Sequence, residues 1–303
     1  MEVADVKYCK ITENVSYLND RVNIGVIKTN NHTILIDSGL DKTTANKILR
    51  VLREKKLKPD IIINTHGHAD HYGGNARLIE KTGIEVWSPK GEAHLLEFPE
   101  YEPAYLFGGA YPPPELCSKF LKAESSRVDR RISAGEKIKI DSIEIEFVSL
   151  AGHSLHQIGV VCQNVIFTAD SYVEENIIKK HGIPYYADIA SAVKTLNYLI
   201  ESDFDYYLPG HGELLKSPAE LCRLNLDFFK KMEDLICGIL KTKKEEAELF
   251  AAVLEKMEIK INSMQKYFLL KTTVNAFVSK LSGEGKLEPV IKNNKLYWSK
   301  SSV

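Results

Sequence analysis

Three histidines and an aspartate crowd into the run Thr65-His66-Gly67-His68-Ala69-Asp70-His71. Neutral imidazole and carboxylate are the groups with which proteins hold divalent zinc, iron and manganese. The run follows Asp60-Ile61-Ile62-Ile63-Asn64, a short apolar stretch between polar flanks that reads as a buried strand. A turn leaving such a strand can aim several closely spaced ligands at one point, and the small Gly67 and Ala69 let the backbone fold tightly. Of nine histidines in the chain, three stand here behind one apolar strand, which a chance surface cluster does not explain.

Three later segments repeat the design of a strand end followed by a ligand-type residue. Val148-Ser149-Leu150-Ala151-Gly152 leads to His153, Val165-Ile166-Phe167-Thr168-Ala169 to Asp170, and Tyr207-Leu208-Pro209-Gly210 to His211. Taken singly, each is a common cap or turn residue. In this order after the histidine run, they point to one composite site. His156 reads as packing or as a donor behind the ligands, and His32, His94 and His181 as ordinary histidines. No Ser-His-Asp or Cys-His arrangement is visible.

The elements that must carry these loops alternate. Residues 21–29 and 33–37 predict a hairpin turning at Asn30-Asn31. Residues 42–56 predict a helix with Ile48, Leu49, Val51 and Leu52 on one stripe. Gly73-Gly74 turns the chain into a helix over 75–82. Period-two alternation through 136–150, broken at Asp141-Ser142, predicts a hairpin, and 158–167 another around Gln163-Asn164. A helix near 186–201 and the strand Tyr206-Tyr207-Leu208 follow. Such alternation over the first 215 residues argues for a layered α/β domain. The segment 99–121, with Pro99, Pro103, Pro112, Pro113, Pro114 and Gly108-Gly109, predicts an irregular loop of the length that is usually functional. Its Tyr101, Tyr105, Phe107 and Tyr111 suit either a wall over a site or the packing of a surface loop.

A chain of 303 residues fits one large domain and an appendage, and 44% hydrophobic with 27% charged residues is ordinary globular composition. The five scattered cysteines form no CxxC pair, which points to reduced thiols and a cytoplasmic setting. Met1-Glu2-Val3-Ala4-Asp5 carries acids where a signal peptide carries a basic and then apolar run. No window approaches roughly eighteen apolar residues, so no membrane span is expected. A net charge of −1 gives no global pull toward nucleic acid. From Lys241 onward, however, twelve lysines face seven acids. This tail reads as helices over 217–240, 244–257 and 264–282, then a hairpin turning at Asn293-Asn294.

On the motifs THGHADH at 65–71, AGHS at 151–154, FTAD at 167–170 and PGHG at 209–212, with Ile36-Asp37-Ser38-Gly39 before them, the chain resembles the metallo-β-lactamase fold superfamily, the glyoxalase II-like metallo-hydrolases. The resemblance covers roughly residues 8–215. It implies a four-layered αββα sandwich with the site at one edge over residues 1–216, and the tail, 217–303, resembles a smaller helical, winged-helix-like C-terminal domain. Carried over by position, His66, His68 and His153 would hold one metal, Asp70, His71 and His211 a second, and Asp170 would bridge them. Asp37 would buttress the ligand loop without binding metal, and Asp70 and Asp170 would serve catalysis. The activity implied is hydrolysis of an ester, thioester or lactone-like small substrate by a hydroxide bridging two divalent ions, zinc first, with iron or manganese open.

The alternatives kept are a nuclease or phosphodiesterase acting on RNA through the tail, and a mononuclear iron persulfide dioxygenase. Asp170 stands where the antibiotic-hydrolysing members resembling this fold use cysteine, and His68 where the diiron flavoprotein branch has glutamate, so both branches are disfavoured. Gln157 departs from the pattern, since many members have a second histidine there. The tail's other readings are packing on the catalytic domain, shaping the site mouth and forming a homodimer. Its interleaved acids and the absence of an arginine cluster favour these over nucleic-acid binding.

Overall fold

Seven strands assemble in chain order into one sheet: β1 (Lys7–Lys10), β2 (Val15–Asn19), β3 (Ile24–Lys28), β4 (Thr33–Ile36), β5 (Ile61–Ile63), β6 (Glu85–Pro89) and β7 (Arg130–Ile132). This computed structural model describes residues 6–301, so the acidic pentapeptide read for the absence of a leader lies outside the described residues. The first four strands pair antiparallel through short turns, whereas β4 to β7 pair parallel. The change follows from the connections, because a parallel partner needs a crossover that a helix supplies. Those crossovers contain α1 (Lys42–Glu54), α2 (Ala69–Tyr72), α3 (Asn75–Thr82), α4 (Ala93–Glu97) and α5 (Tyr101–Leu106). Asp41 caps α1 by accepting from the Thr43 and Thr44 amides, and Ala45, Ile48, Val51 and Leu52 form its buried stripe.

The second sheet runs β12-β11-β10-β9-β8, from β8 (Lys137–Ile140), β9 (Ile143–Ser149), β10 (Ile158–Cys162), β11 (Val165–Ala169) and β12 (Tyr206–Pro209). Both predicted hairpins are present, and β11 and β12 pair parallel around α6 (Glu175–His181) and α7 (Ile189–Glu201). Helix α7 begins later than the periodicity suggested because the Asp188 side chain accepts from the Ser191 amide and sets its N-terminus.

Between the sheets lies a core of Ile34, Ile36, Ile63 and Trp87 from one side and Ile145, Phe147, Val160 and Phe167 from the other. Truncating Phe147 there would cost about 3–5 kcal/mol. The outer face of the first sheet is covered by α1 and α3 through Ile48, Leu52 and Leu78, and that of the second by α7 through Leu196 and Leu199. The arrangement is the expected αββα sandwich. Register aligns Ile36 with Ile63, Ile63 with Trp87, and Ala169 with Pro209, so the C-terminal ends of these strands share one edge.

The tail contains α8 (Ala219–Ile239), β13 (Lys244–Glu245), α9 (Glu246–Lys256), α10 (Met264–Gly283), β14 (Leu287–Lys292) and β15 (Lys295–Lys300). Two-residue β13 went unforeseen, since nothing that short carries a period, yet it completes a small sheet in the order β13-β15-β14. Phe229 of α8 packs edge-on against Tyr186 and Phe277, so tail helices and α7 share one core.

The segment 99–121 is only in part the irregular loop expected. It holds α5 and a 3-10 turn at Pro114–Leu116. Pro103 and Pro114 fall in first turns, where a missing N–H breaks no helical bond, so prolines that read as breakers are starters here.

Candidate metal centre

All seven candidate ligands converge at the shared strand edge. His66, His68 and His153 present ligand atoms within 4.8 Å of one another, as do His66, His71 and Asp170, and Asp70, His71 and His211. Two residues beside them hold left-handed backbone without being glycine, Asp37 at φ 65° and Ala169 at φ 48°. Each such residue costs on the order of 1–3 kcal/mol and persists only where its surroundings over-determine it. For Asp37 they do: its carboxylate accepts from the Thr65 amide at 2.8 Å and the Thr65 hydroxyl at 2.9 Å, and faces His71 Nδ1 at 2.8 Å. One buried side chain thus fixes the start of the histidine loop and the ring that ends it.

Four rings are held from outside by one nitrogen, which turns the other inward. His66 Nδ1 lies 3.0 Å from Thr65 Oγ1, His71 Nδ1 on Asp37, His153 Nδ1 3.0 Å from the Tyr185 carbonyl, and His211 Nδ1 2.7 Å from the Arg21 carbonyl. His68 is reversed, with Nδ1 inward, 2.9 Å from His153 Nε2. Asp170 sits among the rings, Oδ1 3.4 Å from His71 Nε2 and Oδ2 3.5 Å from both His153 and His211 Nε2. Asp70 Oδ2 is 3.4 Å from His211 Nε2. Gly210 must be glycine here, because a Cβ would come within 2.3 Å of Asp170 Oδ1.

Burial and charge divide the centre into two ends. Burial, then neighbouring imidazoles, hold His66 well below the ordinary histidine range. Burial brings His68 and His153 down to about 4, so these rings are neutral. Burial also pushes His71 down, but Asp170, Asp37 and Asp70 outweigh it and hold the ring well above its usual value. Asp170 chiefly raises His211, to about 9. Burial raises Asp70, yet His71 and His211 outweigh it and bring the carboxyl to about 2. The His211 and Asp70 side chains are 48% and 34% exposed while His66 and His71 are fully buried, so the centre opens at its charged end.

Some residues near the centre were not anticipated. Glu102 of α5 brings Oε1 to 3.6 Å from His68 Nε2, and burial, with Glu92 and Asp70 nearby, pushes its carboxyl up to about 8. The Tyr185 ring stands edge-on to His68 and His153. Glu102 lay inside the proline-rich segment with no periodic signal. Buried Glu92, by contrast, follows β6 as the other site residues follow their strands, a signal that was there to read. The aromatics proposed as a wall are exposed: Tyr101 stacks on Tyr105, whose hydroxyl lies 2.7 Å from His94 Nε2. Gln157 donates to the Leu150 carbonyl and Ser171 hydroxyl, bracing the loop where a histidine would reach inward, and His32 pairs with Asp141.

The donor set fits divalent metal. His66 Nε2 is buried without a hydrogen-bond partner, which costs about 1–3 kcal/mol, and the buried His71 Nε2 and Asp170 Oδ1 have only each other, at 3.4 Å.

A family model described as the metallo-beta-lactamase superfamily matches residues 18–211. Hydroxyacylglutathione hydrolase GloC of Haemophilus influenzae is 26% identical over 182 residues, 59% of this chain and 79% of that protein. The beta-lactamase-like protein 2 homolog of Drosophila melanogaster is 21% identical over 272 residues, 88% of this chain and 83% of its own length. A beta-lactamase domain protein from Burkholderia ambifaria shares the fold with TM-score 0.76 at 14% identity, covering 99% of this chain and 95% of that one.

Proposed function

Because the chain belongs to the metallo-beta-lactamase superfamily, we propose that it is a binuclear metallo-hydrolase acting on an ester, thioester or lactone-like small substrate. The observation that carries this reading is the convergence of three buried ligand atoms without a hydrogen bond, His66 Nε2, His71 Nε2 and Asp170 Oδ1, within 4.8 Å of one another. In this reading His66 Nε2, His68 Nδ1 and His153 Nε2 hold one ion, Asp70, His71 and His211 the other, and Asp170 is shared. Five imidazoles against two carboxylates favour zinc over harder ions. When bound, such a pair supplies Lewis acidity and a water activated near neutral pH. The chain's own residues do the rest. Asp37 holds the His71 ring in orientation, Asp170 keeps negative charge between the two ends, and the open side at Asp70 and His211 admits the substrate.

Relatives named hydroxyacylglutathione hydrolase support a thioester first, since an S-acyl glutathione is one. For the tail, the order helix, short strand, helix, helix, hairpin supports a winged-helix-like module over 217–303. Its lysines weigh against RNA as substrate: Lys271, Lys280, Lys286 and Lys295 are held by Glu246, Glu233, Glu284 and Glu245. A mononuclear iron oxygenase would use similar ligands, and metal content separates it from the binuclear reading. Five free thiols support a cytoplasmic setting, and no helix among the described residues is long and apolar enough to cross a membrane.

The test is metal analysis followed by a panel of thioesters, lactones, phosphodiesters and RNA. Two zinc per chain with thioester or lactone turnover is expected. One iron per chain, or RNA cleavage abolished by His68→Ala, would overturn the reading.

A further inference from the structure

We infer that Glu92 is the positioning residue of the three-histidine end, a buried clasp that sets the separation of the loops carrying His66, His68 and His153; the inference rests on that trio holding a metal. Glu92 is 1% exposed. Its Oε2 accepts from the Gly67 amide at 3.0 Å, and its Oε1 accepts from the Ser154 hydroxyl at 2.5 Å and the His156 amide at 2.8 Å. Gly67 lies between His66 and His68, and Ser154 directly follows His153. One carboxylate therefore grips both loops within one residue of every ligand of that end. Across the gap it spans, His68 Nδ1 and His153 Nε2 stand 2.9 Å apart.

The chemistry suits a clasp. A carboxylate removed from water is costly unless its lone pairs are used, and bonds to an ionised acceptor are shorter and stronger than neutral ones. Here amide and hydroxyl donors use them. Gly67 permits the approach, because a Cβ there would lie 3.1 Å from Glu92 Oε2 and 2.6 Å from Leu95 Cδ1. The clasp is itself anchored, since the Glu92 amide donates to the Pro89 carbonyl at the end of β6 and its carbonyl accepts from Leu95 at the start of α4. A backbone bond from Ile158 to the Thr65 carbonyl joins the same two loops at the sheet, beside His66 but away from His68 and His153.

The test uses the full chain carrying His211→Ala, which leaves the three-histidine end complete, titrated with cobalt(II) and followed by visible absorption. Adding Glu92→Gln turns an amide N–H toward at least one of the three donors. It is expected to weaken cobalt binding by about 10–100-fold and to alter the ligand-field bands as the loops part. Ser154→Ala keeps the carboxylate and removes one bond. It is expected to act in the same direction by a smaller factor, and it decides the matter where Glu92→Gln does not fold. Binding within about twofold of the parent, with an unchanged spectrum, overturns the inference and would leave Glu92 a fold-stabilising group only. A parent that takes up no cobalt overturns the metal reading and the inference with it.

Discussion

The two ends of the centre are built from the same kinds of side chain and behave as opposites. Around His66, His68 and His153 the rings are neutral and shielded, and the loops are gripped from behind by Glu92. Around Asp70, His71 and His211 the groups are charged and compensate one another, with Asp70 and His211 partly open and His71 buried. The difference is one of environment. Around His66, His68 and His153 desolvation outweighs the pull of Asp170, whereas at His71 and His211 the neighbouring carboxylates outweigh desolvation. On these charges the first end would take a cation without losing protons, whereas the second would have to release them.

The largest effect should come from the residue between the ends. Asp170→Ala is expected to lose both metals and about 10³-fold in turnover, the several kcal/mol that metal charge stabilisation supplies. Retention of two metals at full turnover would show that the carboxylate does not serve both ends. Next, Asp37→Asn should weaken metal binding at the His71 end by about 10–100-fold, because the ring loses the acceptor that orients it. Chelator competition would resolve the two ends, and equal weakening of both would break the comparison.

A pH experiment sharpens the contrast. His211, raised to about 9, and His71 carry protons at neutral pH in the metal-free protein, while His68 and His153, lowered to about 4, do not. Loading the charged end should therefore release protons, in an amount that falls as pH rises through about 9. By linkage, the stabilisation from the raised His211 is complete below its unfolded value of 6.5 and is lost as pH rises through about 9. The metal-free protein should weaken over that window. Calorimetry in two buffers of different ionisation enthalpy measures the release, and equal release from both ends would contradict the charge assignment. The smallest effect is expected at the surface: Tyr105→Phe removes an exposed hydroxyl that meets the half-buried His94 and should change stability by about 0.5 kcal/mol or less, with metal affinity untouched. A thermal melt and a metal titration check it.

Much of this was legible in the chain. The period-two run at 136–150 and the turn at Gln163-Asn164 became β8 to β11 because alternation and turn chemistry are local. The ligand-type residues behind β5, β9, β11 and β12 could be read for the same reason. Prolines misled at 99–121, since a proline that starts a helix and one that ends it look alike until the cap is seen. Glu102 was hidden in that segment, and β13 exists only because β15 comes to lie beside it.

By itself, then, the sequence determined which ligand-type side chains would gather and on which strand ends, because ligand type and strand pattern are properties of neighbouring residues. The tertiary structure alone decided which nitrogen each ring turns inward, which end is charged and which is neutral, and that Glu92 would tie Gly67 to Ser154 across 25 and 62 residues of chain. Those outcomes depend on burial and on partners brought together by sheet register, and neither exists until both sheets have closed on their core.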